Sequence, residues 1–144
     1  MPEVHSLRPA VFVDRDGTLA EEVGYLNHAC RFRIFPFAAA AIRRLNQAAW
    51  PVVVVTNQSG VGRGYFPESL VGEVHERLIS ELAREGARVD GVYYCPHVSA
   101  DTCACRKPKT GMLEQARADL RLDLNSSFVV GDRSGDVELA ARAR

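Results

Sequence analysis

The chain has 144 residues, 47% of them apolar and 25% charged, with a formal net charge of zero. That length supports one domain with its own core, the neutral balance argues against a protein that tracks a nucleic-acid backbone, and no apolar run reaches membrane-spanning length. Met1 to His5 has neither a positive n-region nor an apolar h-region, so a soluble, cytoplasmic protein is expected, with neither nucleic acid nor membrane as partner.

Residues 10–14 read as the first strand: Val11, Phe12 and Val13 run into Asp14, Asp16 follows two places later, and Gly17 and Thr18 turn the chain. Side chains two apart in an extended segment point the same way, so both carboxylates can face one cavity. There they repel unless a cation or a shared proton lies between them, and a divalent metal is expected. Glu21 to Leu26 has neither a helical nor a strand period and is expected to form a loop over the mouth of the site.

Phe37 to Trp50 reads as a helix starting after Pro36. Val52 to Val55 is a continuous β-branched run, as in a central parallel strand covered on both faces, and it ends in Thr56. A loop from Asn57 to Tyr65 with three glycines leads to a helix opened by Pro67 and Glu68 and reaching roughly Gly86, with Leu70, Val74, Leu78 and Leu82 on its buried stripe. Val89 to Tyr94 reads as a third strand, Pro108 to Leu120 as a helix, Ser127 to Val130 as a fourth strand, and Asp136 to Arg144 as a last helix. Strands alternating with helices imply right-handed crossovers and a doubly wound α/β domain with a parallel sheet. The intervals between the polar clusters leave no room for a separate cap domain.

Three of the four cysteines crowd between positions 95 and 105. Cys95, His97, Cys103 and Cys105 supply three soft sulfurs and an imidazole, a set that suits a closed tetrahedral Zn2+ site stiffening a loop without a hydrophobic core. Cys30 carries no pattern.

Polar clusters follow the later strands as the acid pair follows the first: Thr56-Asn57-Gln58-Ser59-Gly60, Lys107-Pro108, and Gly131-Asp132-Arg133-Ser134-Gly135-Asp136. Their order and spacing resemble the haloacid dehalogenase superfamily of phosphoryl-transfer enzymes over nearly the whole chain. Together with Cys-Pro-His and Cys-x-Cys-Arg-Lys-Pro, they resemble the group of D-glycero-D-manno-heptose 1,7-bisphosphate 7-phosphatases and histidinol-phosphate phosphatases.

The resemblance implies that Asp14 is a nucleophile forming an aspartyl-phosphate and Asp16 an acid and base. It implies that Thr56 and Lys107 hold the transferring phosphoryl group. It further implies Mg2+ on the carboxylates of Asp14 and Asp132 and the main-chain carbonyl of Asp16, with Asp136 behind them. Substrate contacts are implied at Glu22, Val23, Gly24, Tyr25, Asn57, Gln58, Ser59, Arg106 and Arg133, and the substrate is expected to be a small phosphorylated sugar. Relatives continue past the last helix with at least one more strand, so the fourth strand of residues 1–144 is expected to have an open edge. The segment between His97 and Cys103 is shorter than in many heptose enzymes.

Other readings compete. A histidinol-phosphate phosphatase shares the motifs. A polynucleotide 3′-phosphatase shares Thr-Asn-Gln but wants a basic track that a neutral chain lacks. A receiver-like signalling module would have no use for Asp16, and a zinc-stabilised interaction domain with a dead site is opposed by the completeness of the motifs.

Overall fold

The computed structural model describes residues 6–143. The readings of residues 1–5, and of Arg144 as the end of the last helix, lie outside the described residues. Four parallel strands, β1 (Val11–Val13), β2 (Val52–Asn57), β3 (Gly91–Cys95) and β4 (Phe128–Val130), lie in the order β3-β2-β1-β4. Helices α1 (Ala38–Gln47), α2 (Glu68–Arg84), α3 (Gly111–Leu120) and α4 (Ser134–Arg142) separate and follow them. The expected doubly wound parallel sheet is therefore present.

The valine run of β2 shows why both faces are covered. Val52 and Val54 point into a cluster with Ala38, Ala39 and Ile42 of α1 and Leu70, Val74, Leu78 and Leu82 of α2. Val53 and Val55 point the other way, onto Met112, Leu113 and Ala116 of α3 and Leu139 of α4. All four valines are 0% exposed, so each contributes on the order of 1.5–3 kcal/mol of apolar burial, and the strand is anchored from both sides. That anchoring holds its polar C-terminal end in place.

The helix boundaries shift from those the sequence suggests. Helix α1 stops before Trp50 because Ala49 takes a left-handed conformation, φ 63°, and Trp50 N–H turns back to the Leu45 carbonyl. Helix α3 begins at Gly111, not Pro108, because Arg106 to Lys109 close a turn with Lys109 N–H donating to the Arg106 carbonyl at 2.8 Å. Strand β3 is displaced toward the C-terminus so that Cys95 pairs with Asn57. The first cysteine of the cluster is thereby rooted on the sheet. β4 is the outermost strand on its side among the described residues; Phe128 and Val130 are 60% and 47% exposed, and Phe128 packs on Trp50 with ring centroids 5.8 Å apart. None of the described helices is long and apolar enough to cross a membrane.

Candidate active site

The C-terminal ends of the strands open into a cavity of about 370 Å3, where a doubly wound sheet places its ligands. Asp14 follows β1, Thr56 and Asn57 end β2, and Gly131 and Asp132 follow β4. Lys107 enters from the loop between β3 and α3. Its ammonium donates to Asp14 Oδ1 at 2.9 Å, to Asp136 Oδ1 at 2.8 Å and to the Val55 carbonyl at 3.1 Å. Three acceptors around one buried cation make the lysine the electrostatic hub of the site.

Asn57 fixes that lysine from behind. Its side-chain oxygen accepts from Lys107 N–H at 3.0 Å and its amide donates to the Lys107 carbonyl at 3.4 Å. Gln58, almost fully buried, donates to Thr56 Oγ1 at 2.9 Å and to Asp16 Oδ2 at 3.0 Å. Both residues thus position other groups as well as lining the cavity.

Carboxyl oxygens of Asp14, Asp132 and Asp136 lie within 4.8 Å of one another. Burial pushes the Asp14 carboxyl up to about 6; the charge and hydrogen bond of Lys107 oppose the rise and Asp136 adds to it. A divalent cation among these oxygens would reverse the effect of burial, and the all-oxygen donor set fits Mg2+. Space is made for the acids by two glycines. A Cβ on Gly17, whose φ is 83°, would lie 2.2 Å from Asp132 Oδ2, and one on Gly131 would lie 2.2 Å from Asp136 Oδ2.

Next to this cluster, Sγ of Cys95, Cys103 and Cys105 and a ring nitrogen of His97 also lie within 4.8 Å of one another. His97 Nδ1 is 3.5 Å from Cys95 Sγ and 3.3 Å from Cys105 Sγ, and Cys103 Sγ is 3.9 Å from Cys95 Sγ. Edges of a tetrahedron with Zn–S bonds of about 2.3 Å are about 3.8 Å long. The Cys95–Cys105 pair, at 2.6 Å, is tighter than that. Burial pushes the Cys95 thiol up to about 12, a state that a bound dication would invert by holding the thiolate.

The rim joins three loops. Glu22 Oε2 accepts from Arg133 Nη2 at 3.2 Å, and Glu22 Oε1 accepts from Gly24 N–H at 3.0 Å. Tyr25 meets Tyr65 edge to face at 4.6 Å. Arg106 lines the cavity and donates to the His97 carbonyl at 3.1 Å, tying it to the cysteine loop. Ser59 lines the cavity, while Val23 packs against the apolar cluster.

The sequence reading passed over Arg15, Phe66 and His75. Phe66 lines the cavity. His75 had a findable signal: it lies four residues after Val71 and three before Leu78, on the buried stripe of α2.

A parallel sheet that brings the carboxylates of Asp14, Asp16 and Asp136, the Thr56 hydroxyl and the Lys107 ammonium to one cavity has the parts of a phosphoryl-transfer enzyme. A family model described as HAD-hydrolase-like matches residues 104–143. A protein of Thermoplasma volcanium named Probable D-glycero-D-manno-heptose-1,7-bisphosphate 7-phosphatase is 39% identical over 135 residues, 93% of this chain and 92% of that protein. The D-glycero-D-manno-heptose-1,7-bisphosphate 7-phosphatase of Thermosynechococcus vestitus is 44% identical over 94% of this chain and 75% of its own length. The crystal structure of the D,D-heptose 1,7-bisphosphate phosphatase from B. bronchiseptica, complexed with magnesium and phosphate, superposes with a TM-score of 0.87 at 36% identity, covering 94% of this chain and 76% of that one. This chain belongs to the haloacid dehalogenase-like hydrolases, in the group of heptose-bisphosphate phosphatases, as its motifs implied.

Proposed function

We propose that the chain hydrolyses the 7-phosphate of D-glycero-D-manno-heptose 1,7-bisphosphate. Asp14 attacks phosphorus, the bond to the sugar oxygen breaks, and the phosphoryl group passes to the carboxylate. Asp16 gives its proton to the departing alkoxide and then takes one from the water that releases phosphate. Thr56 donates its hydroxyl to a phosphoryl oxygen, and Lys107 holds positive charge against the same group. Mg2+ on Asp14, Asp132 and the Asp16 carbonyl would neutralise the charge of the phosphoryl oxygens when bound. Cys95, His97, Cys103 and Cys105 would hold a structural Zn2+ that aims Arg106 and Lys107 at the substrate.

The observation that carries this reading is the convergence on Lys107, whose ammonium lies 2.9 Å from Asp14 and 2.8 Å from Asp136 although the three residues come from separate parts of the chain. The names of the relatives and the magnesium and phosphate of the B. bronchiseptica enzyme support the substrate and the metal. The test is phosphate release from heptose bisphosphate, histidinol phosphate and a 3′-phosphorylated oligonucleotide, side by side. The sugar bisphosphate should be preferred, and Asp14→Asn should abolish turnover with an unchanged circular dichroism spectrum. Preference for either other substrate, or normal turnover of the variant, overturns the reading.

A further inference from the structure

In the proposed reaction Asp16 protonates the leaving oxygen, and its carboxylate is held from two sides. Arg15 Nε donates to Asp16 Oδ1 at 2.9 Å and Arg15 Nη2 donates to Oδ2 at 3.0 Å. Gln58 Nε2 donates to the same Oδ2 at 3.0 Å. Arg15 is itself only 2% exposed and ranks among the largest fully buried side chains. A guanidinium is buried at great cost unless its donors are met.

Here the remaining guanidinium nitrogen is met by a residue of α2. Arg15 Nη1 lies 3.2 Å from His75 Nε2 on α2, and the guanidinium carbon sits 5.6 Å from the centre of the Phe32 ring. An arginine is always a donor, so His75 Nε2 must accept, which places the ring proton on Nδ1. The network assigns that tautomer. A chain of contacts therefore runs from His75 through Arg15 to Asp16 and on through Gln58 to Thr56.

Resting on the acid role proposed above for Asp16, we infer that Arg15, braced by His75 and Phe32, is a positioning residue that sets the direction in which Asp16 presents its carboxyl group to the leaving oxygen. Its planar fork fixes both carboxylate oxygens at once, which the single ammonium of a lysine cannot do. The brace keeps the fork from turning.

The inference separates from a purely structural ion pair by the leaving group. A sugar alkoxide must take a proton from Asp16 as its bond to phosphorus breaks, whereas para-nitrophenolate departs with the electron pair and needs none. kcat/KM for the two substrates reports the step up to transfer onto Asp14. Asp16→Asn, the reference, should lose far more on heptose bisphosphate than on para-nitrophenyl phosphate. Arg15→Lys should repeat that pattern, with a loss at least about tenfold greater on the sugar phosphate. His75→Leu should show the same bias more weakly, and His75→Gln, which keeps a neutral acceptor, should restore it toward the parent.

Equal losses on both substrates in Arg15→Lys, or none, would overturn the inference while leaving the acid role intact. Should Arg15→Lys fail to fold by circular dichroism, His75→Leu decides on the same criterion. If Asp16→Asn does not separate the two substrates, the acid role of Asp16 falls, and the inference falls with it.

Discussion

The strand ends and the cysteine loop deliver groups to the same cavity by different physical means. Asp14 and Thr56 are placed by the sheet: β1 and β2 are hydrogen-bonded in register, and their valines are locked between two apolar clusters. Residues 96–106 contribute little to either cluster, with only Cys103 and Cys105 packed against one of them. That segment is held by side-chain donors around a shared point and by Asn57 clasping the Lys107 main chain. The carboxylate of Asp14 thus sits on rigid backbone, and Lys107, the cation that opposes it, sits on a loop that needs its own fastening. The loop should be the part that fails first.

Three measurements press on that contrast. The largest effect is expected at the hub. Lys107→Met removes the cation shared by Asp14 and Asp136 and should lower kcat by about a thousandfold, read from phosphate release with the fold intact by circular dichroism. A loss of less than about tenfold would mean that the strand ends work without the loop.

Next comes the fastening itself. Elemental analysis after dialysis should find about one zinc per chain, and stripping it with a chelator should lower the melting temperature by roughly 10 °C. Activity should fall at temperatures where the sheet remains folded. A metal-free protein with an unchanged melting curve and full turnover would erase the distinction between the two regions.

The smallest effect concerns the rigid side. Burial holds His75 down to about 4 from 6.5, with the Arg15 charge acting in the same direction and Asp16 against it. Below about pH 6.5 the unfolded chain takes up a proton there that the folded chain refuses, so stability is lost as pH falls from 6.5 toward 4. Between about pH 7 and about pH 5 the loss assigned to this residue is about 2 kcal/mol. Urea unfolding of His75→Gln should show a correspondingly shallower decline than the parent. Equal declines would show that the histidine is freely protonated in the folded protein.

How legible each region was follows from the range of the forces that shape it. The four valines of β2 and the strand ahead of Asp14 declare themselves as short uninterrupted runs of β-formers, and Cys95, His97, Cys103 and Cys105 through close spacing and ligand chemistry. Helix starts were less legible: the turn over Arg106 to Lys109 delays α3, and α4 begins at Ser134, two residues ahead of the expected Asp136, whose side chain accepts from Arg133 N–H at 3.4 Å. These depend on hydrogen bonds that composition does not reveal.

By itself the sequence determined which residue types stand at the strand ends and in the cysteine loop, since alternation along a strand and donor chemistry are local properties. Only the tertiary structure decided what each polar side chain does there. Asn57 clasps a main chain 50 residues away, and Arg15 links its neighbour Asp16 to a histidine 60 residues away. A buried donor must find its acceptor wherever folding brings one, and that place is a property of the packed whole.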